Sequence, residues 1–481
     1  METFDSLIDA KITSRLGDVK RRGIDLGEEL QATLHSRLGR FVSSMLSEIE
    51  SHSCRIAVIG QIKAGKSSLI NALIRRPGLL PTDINPSTAV ITKLYFGAPV
   101  ERNNTALFEF FGEQEWDRIM SGGRTGALTM DREAAVNSEN LTGALEELRQ
   151  RAKERLGEQY GSLFGKHHLF SSVTSSLLER YVSASDHMLK AVNGANGHKV
   201  VERHYSDITK NAEVFLEGQP LGYPSVIIDT PGVNDPFLVR DEITHGNLGD
   251  ADIYLVVLTA QQPLSKSDLA LLRMLKGLQK DRIIAVVNRV DLLDMESGEA
   301  ERLSAHVRNS LKHEFPHADI PVILVSARWA QTSLGCDSDA LRQTLTSTFP
   351  AYAKQMAESG EPGFETPRDS WSDKELAEML YRASGIPAVL AGISRLIGHS
   401  VTAERLLPLA STLGAISDNT VVSTRYSIKS MNDAAAASDR WTKSRVNESL
   451  TRLENLLTEV ETTLVKCKED FRRLSAEEIG R

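Results

Sequence analysis

The residues best suited to chemistry are consecutive. Gly60-Gln61-Ile62-Lys63-Ala64-Gly65-Lys66-Ser67 fits the spacing G-x-x-x-x-G-K-[ST] at every fixed position. In such a loop the backbone N–H groups wrap around phosphate oxygens at a helix N-terminus, where the oriented peptide dipoles favour an anion. Lys66 is then placed to reach the β- and γ-phosphates, and the Ser67 hydroxyl to ligate Mg²⁺. A chance glycine-rich turn is the bland alternative. The flanks argue against it: Ile56-Ala57-Val58-Ile59 reads as a buried strand, and Ser68-Leu69-Ile70-Asn71-Ala72-Leu73-Ile74 as a helix.

Three further groups follow in order, each at the end of an apolar run. Asp229-Thr230-Pro231-Gly232 follows Val226-Ile227-Ile228, so the Asp229 carboxylate can hold Mg²⁺ through water and the Gly232 N–H can meet the γ-phosphate. Asn288-Arg289-Val290-Asp291 follows Ile283–Val287. Asp291 can accept two hydrogen bonds from the N1–H and N2–H₂ edge of guanine, an edge that adenine lacks; a site built around those donors rejects the wrong base strongly. Ser326-Ala327 ends the next strand, where a backbone N–H can meet guanine O6. Each group alone is a common turn or cap sequence. The ordered set predicts a GTP site made of Gly60, Gln61, Ile62, Lys63, Ala64, Gly65, Lys66, Ser67, Ser68, Gly232, Asn288, Arg289, Asp291, Ser326 and Ala327.

The set resembles the translation-factor-like GTPases, and within them the bacterial dynamin-like proteins. The likeness is good over roughly residues 50–330 and looser in the flanking helices. Its sharper marks are Gly60-x-x-Lys63-x-Gly65-Lys66-Ser67-Ser68 and Leu80-Pro81-Thr82-Asp83-Ile84-Asn85-Pro86-Ser87-Thr88-Ala89-Val90. The resemblance implies that Thr88 lies in a first switch and touches Mg²⁺ and the attacking water, so Ser67, Thr88 and Asp229 are the expected metal-binding residues. It also implies that Ser384-Gly385-Ile386-Pro387 leads from the nucleotide-binding domain into a helical bundle joined by residues 1–50.

Two positions depart from the eukaryotic dynamin pattern. Ile62 stands where a water-positioning glutamine is usual, and Lys63 where a serine binds a monovalent cation. Lys63 can place its ammonium against the charge developing between the phosphates, replacing that cation, or it can simply face solvent. The expected catalytic groups are therefore Lys63, Lys66 and Thr88. Arg289 replaces the usual lysine, and its aliphatic stem can still cover the base plane. Gln261-Gln262 reads as a polar loop.

The elements that must position these groups follow from pattern. Apolar runs at Arg55–Ile59, Val226–Asp229, Ile253–Leu258, Ile283–Asn288 and Val322–Ser326, with helical stretches between several, predict an α/β fold with a mainly parallel sheet covered on both faces. Between Tyr95 and Val226 lie about 130 residues, more than a crossover needs. They predict a helical insertion at about 100–210, then a strand at Ala212–Leu216 that pairs with Val226–Asp229. Leu26, Leu30, Leu34, Leu38, Phe41, Met45 and Ile49 mark one face of an amphipathic helix. After a Gly/Pro/acidic stretch at Glu358–Gly363 the chain reads as helix, and Val446 to Leu474 follow a 4,3 spacing that suits a stalk, an oligomerising coil or an intramolecular bundle. The domains are then 1–50, the first helix of a bundle; 51–350, the nucleotide-binding domain; and 351–481, an all-α bundle or stalk that stops without a visible cap, as a truncated sequence would.

Composition narrows the partners. The 481 residues have a net charge of −8, so no nucleic-acid partner is expected, because phosphate-backbone affinity needs clustered Lys and Arg. Three scattered cysteines suit a reducing cytosol and give no disulfide or zinc framework. His167-His168 reads as a solvated loop. No secretory signal and no run of roughly 18 apolar residues is present, and Leu406–Leu413 reads as core rather than a membrane paddle. The expected location is cytoplasmic, with peripheral contact at the inner face of the cell membrane if the family's membrane role applies. Three readings remain: a self-associating mechanochemical GTPase dimerising through its GTPase domain on membranes, a regulatory switch that binds a protein partner, and a scaffold whose oligomeric state GTP controls. Ribosome-assembly GTPases share the motifs but usually carry a basic RNA-binding module, against which the acidic balance counts.

Overall fold

The computed structural model describes residues 36–401 apart from 83–89, 98–101, 121–145, 184–190, 194–198, 202–203, 233–249, 278–281, 294–297, 318, 336–337 and 347–371, with scattered positions within 21–28 and 411–433. Thr88, the seam from Val446 to Leu474 and Leu406–Ala410 lie outside the described residues. By its contacts the chain divides into two compact units, Met1–Ala10 with Ser53–Leu396, and Lys11–His52 with Ile397–Arg481.

In the first unit the strands are β1 (Cys54–Gly60), β2 (Ile91–Phe96), β3 (Thr105–Phe110), β4 (His167–Phe170), β5 (Ala191–Asn193), β6 (Lys199–Val201), β7 (Thr209–Leu216), β8 (Ser225–Asp229), β9 (Ile253–Thr259), β10 (Ile283–Asn288) and β11 (Val322–Val325). Nine of them form one sheet in the order β11-β10-β9-β1-β8-β2-β7-β3-β4. The half from β11 to β8 is parallel throughout. Its strands are runs such as IYLVVLT and IIAVVN, buried on both faces because helices cover each side. Parallel pairing puts the carboxyl ends of β1, β8, β10 and β11 on one edge, which is where open α/β sheets hold ligands.

The other half corrects three expectations. Ala212–Leu216 does not pair with Val226–Asp229: β2 lies between β7 and β8, parallel to the first and antiparallel to the second. Neighbourhood in sequence suggested a hairpin, but inserting β2 gives both strands a full ladder. The region 100–210 is not a purely helical insertion, since β3 and β4 extend the main sheet. Thr105-Ala106-Leu107-Phe108-Glu109-Phe110 has a period-two alternation that marks it as a strand with one buried face. His167-His168 is not a solvated loop but the start of β4. His168 Nδ1 lies 2.6 Å from the Tyr181 hydroxyl, and its ring meets Phe110 edge-on at 4.8 Å. Burial foremost, then the nearby Arg180 and His167 charges, pushes His168 below the ordinary histidine pKa.

The helices used below are α1 (Ser36–Ser51), α2 (Lys66–Leu73), α3 (Glu113–Met120), α4 (Ser175–Val182), α5 (Lys266–Gly277), α6 (Glu299–Glu314), α7 (Ala327–Leu334), α8 (Ser338–Thr346), α9 (Asp373–Ala383) and α10 (Ile386–Val401). A Ser372–Glu375 capping box opens α9. Leu376, Met379, Leu380 and Ala383 of α9 join the core formed by β9, β10 and their covering helices. The first unit therefore runs on to Leu396, past the boundary expected near 350. In the second unit α1 buries Val42 and Leu46 and leaves Phe41 51% exposed, so its packed face lies one position along from the Phe41/Met45 stripe. Among the described residues no helix is long and apolar enough to cross a membrane.

Candidate nucleotide site

The phosphate loop leaves the carboxyl end of β1 and turns into α2. Two glycines are fixed by contact. A Cβ on Gly60 would lie 2.3 Å from the carbonyl oxygen of Val257 on β9. One on Gly65, whose φ is +88°, would lie 2.3 Å from Asn288 Nδ2. Lys63 also takes a left-handed conformation, with φ +63°, and its side chain is exposed. Lys66 is buried, and its ammonium donates to the carbonyl oxygens of Gly60 at 3.2 Å and Gln61 at 3.0 Å. The loop thus holds its own cation in the cradle where phosphate oxygens would compete for it.

Ser67 Oγ donates to Asp229 Oδ2 at 2.8 Å, joining two of the expected metal-binding residues between the first turn of α2 and the end of β8. Two hard oxygen donors side by side at the mouth of the loop fit Mg²⁺, which takes few protein oxygens and keeps phosphate and water oxygens for the rest. Among the described residues no cluster of His, Cys, Asp or Glu offers an all-protein cage. Thr230 Oγ1 donates to Val58 O at 2.8 Å and so fixes the turn after Asp229. A Cβ on Gly232 would lie 2.4 Å from Ile62 Cγ1 and 2.5 Å from Ile62 N. Glycine is required there because the phosphate loop closes on its backbone.

At the base end Asn288 acts as a clip. Its Nδ2 donates to Ala64 O at 3.0 Å, while its Oδ1 accepts from the N–H groups of Arg289 at 2.8 Å and Ala327 at 3.1 Å. Arg289, at φ +69°, donates from Nη2 to Lys63 O at 2.6 Å, so its stem spans from the base end to the phosphate loop. Asp291 Oδ1 accepts from Ser326 Oγ at 2.7 Å, and Ser326 Oγ accepts in turn from Trp329 N at 3.1 Å, capping α7. The structure brings together every expected site residue that it describes.

Four contacts around the site were not read from sequence. Gln61 turns its amide away from the loop, donating to Ser265 Oγ at 2.5 Å and Asp268 Oδ2 at 2.8 Å. Ser265 and Asp268 cap the start of α5, and Ser-x-x-Asp before an apolar run was the available signal. Burial pushes the Asp268 carboxyl above its ordinary value, against the bonds from Ser265 and Gln61. Asn71, wholly buried, grips Leu80 through two 2.9 Å bonds and fixes the start of the segment leading to Thr88. Gln331 donates to Ser68 O at 2.8 Å, and Ser384 O accepts from Ser326 N at 2.9 Å. An isolated polar residue in an apolar helix hints at Asn71; nothing local marks Gln331 or Ser384.

A glycine-rich loop between a strand and a helix, a Ser67–Asp229 hydroxyl–carboxylate pair and an Asn-x-x-Asp segment on one edge of a mainly parallel sheet are the arrangement of a P-loop nucleotide-binding domain. Residues 56–290 match the profile of the dynamin family. The chain is similar to Dynamin-like protein 1 of Campylobacter jejuni, 22% identical over 375 residues that cover 75% of this chain and 46% of the relative. It is also similar to a bacterial dynamin-like protein of Nostoc punctiforme, 54% identical over 43 residues that cover 9% of this chain and 6% of that one. A solved structure described as an oligomerised bacterial dynamin pair for long-range sensing and tethering of membranes covers 94% of this chain and 54% of its own, at 16% identity and a TM-score of 0.47. The chain spans about half the length of the Campylobacter relative and of the solved structure.

Proposed function

We propose that the protein hydrolyses GTP as a dynamin-like mechanochemical GTPase that self-associates through its GTPase domain and works at a membrane surface. The observation that supports GTP is the Asp291–Ser326–Asn288 arrangement beside the phosphate loop. The family of residues 56–290, together with helical chain on both sides of the domain, supports the mechanochemical reading.

In this reading Asp291 accepts from the guanine edge, Arg289 covers the base, and Lys66 moves from the Gly60 and Gln61 carbonyls to the β- and γ-phosphates. Mg²⁺ held by Ser67 and Asp229, with Thr88, would neutralise charge on those phosphates. The Gly232 N–H meets the γ-phosphate, while Ile62, lying on Gly232, keeps the wall beside it apolar and cannot orient water. Lys63 is held at a loop position whose carbonyl is pinned by Arg289, leaving its exposed ammonium to serve as the cation that offsets charge in the transition state.

Turnover of Lys63→Ala is expected to fall about a hundredfold or more, on the scale of a finger-type cation, with GTP affinity within about threefold of the parent. Added K⁺ should restore part of it. Steady-state phosphate release with and without K⁺ tests this, and an unchanged rate would leave Lys63 a solvent-facing lysine. For assembly, specific activity should rise with protein concentration, and GTP should increase co-sedimentation with anionic liposomes. A rate independent of concentration points to a slow switch. Concentration-dependent turnover without liposome binding points to a GTP-controlled scaffold.

A further inference from the structure

We propose that the Ser384–Gly385 corner between α9 and α10 is a positioning element of the guanine-reading site, setting base specificity without touching the nucleotide. The inference rests on the reading of Asp291 as the base acceptor. Ser326 is the link. Its hydroxyl has one proton, given to Asp291 Oδ1, and it accepts from Trp329 N, so its rotation is fixed and with it the Asp291 carboxylate. Its backbone is fixed from the other side, because Ser326 N–H donates to Ser384 O at 2.9 Å.

The corner is built to hold that carbonyl in place. Ser384 is wholly buried; its hydroxyl donates to Tyr381 O at 2.6 Å and accepts from Ile386 N at 3.3 Å, closing α9 and opening α10. Gly385 has φ +75°, and a Cβ there would lie 2.1 Å from Leu324 O and 3.3 Å from Val325 Cα, on the strand that ends at Ser326. The backbone of β11 and the corner therefore touch with no room for a side chain. Farther along, a Cβ on Gly392 would meet Ile284 and Ile323 side chains at 3.2 and 3.6 Å, so α10 also lies close on β10 and β11. Displacing the corner must displace Ser326, and Ser326 cannot shift without turning Asp291.

The test compares dissociation constants for GTP and inosine triphosphate, which lacks the 2-amino group. Their ratio isolates one of the two bonds to Asp291, a charge-assisted bond whose loss is about tenfold in affinity. The parent should prefer GTP by about that factor. Gly385→Ala should lower the preference about fivefold or more, with inosine triphosphate, which keeps only the N1–H bond to Asp291, weakened less than GTP. Ser384→Gly, which adds no atoms and loosens the corner, should lower it by a smaller factor; this variant decides the matter if Gly385→Ala does not fold. Ser326→Ala should also lower the ratio, and its effect should be non-additive with Gly385→Ala because both act through one residue. A parent without preference overturns the base reading itself. A parent with preference, and a ratio unchanged in the folded corner variants or additive in the double variant, overturns the corner's role.

Discussion

Asp291→Asn is expected to lower GTP affinity by about a thousandfold and to raise the affinity for xanthosine triphosphate. The size follows from burying a donor against the donors of guanine, which costs more than a missing contact, since both sides lose their water without gaining a bond. The direction follows from Ser326. Its hydroxyl donates to Asp291 Oδ1, so an asparagine at this position keeps its oxygen toward Ser326 and turns its amide toward the base. Xanthine presents a carbonyl where guanine has its 2-amino group, and the pair matches. Titration of both nucleotides against parent and variant checks the exchange. GTP affinity that survives unchanged would remove Asp291 from the base site.

Lys66→Ala is expected to weaken GTP and GDP binding by at least about a hundredfold while the fold persists. The ammonium faces two backbone carbonyls of its own loop, so removing it deletes two hydrogen bonds worth about 1 kcal/mol each. That is a shift of only a few degrees in Tm for a domain of this size. The nucleotide, by contrast, loses a buried side-chain charge set at the phosphate loop. Fluorescent-nucleotide binding beside a thermal melt separates the two effects. Unimpaired binding would show that the loop does not grip phosphate through this residue.

Much of the site was legible because each motif is local. Gly60 to Ser68, Asp229 to Gly232 and Asn288 to Asp291 each sit where an apolar strand stops, and a strand end can be read from a few residues. The first half of the sheet was legible for the same reason: β9 and β10 are continuous apolar runs. The pairing of β2 between β7 and β8 was not, since Ile91-Thr92-Lys93-Leu94-Tyr95-Phe96 carries a half-buried lysine and tyrosine and its partners are far away in sequence. Lys93 is tolerated there because Glu213 lies across from it, although burial still dominates and pulls its pKa down. The face of α1 was misplaced by one residue because Phe41-Val42 and Met45-Leu46 are adjacent apolar pairs and periodicity cannot choose between them. Ser384 and Gln331 reach the site through the fold alone.

The central position of β1 has a consequence for synthesis. The phosphate loop is made early, yet Ser67 meets Asp229 across 162 residues of sequence, Ala64 meets Asn288 across 224, and Ser68 meets Gln331 across 263. Loop closure over such spans adds little to the equilibrium cost, because that cost grows only with the logarithm of length, but it slows the search. A nascent chain that has displayed its phosphate loop cannot yet hold a nucleotide, and its apolar first strand must wait for both neighbours. GTP added during refolding is then expected to bind only after β8, β9 and β10 have joined β1, acting as a late lock on an assembled sheet and not as a nucleus for it.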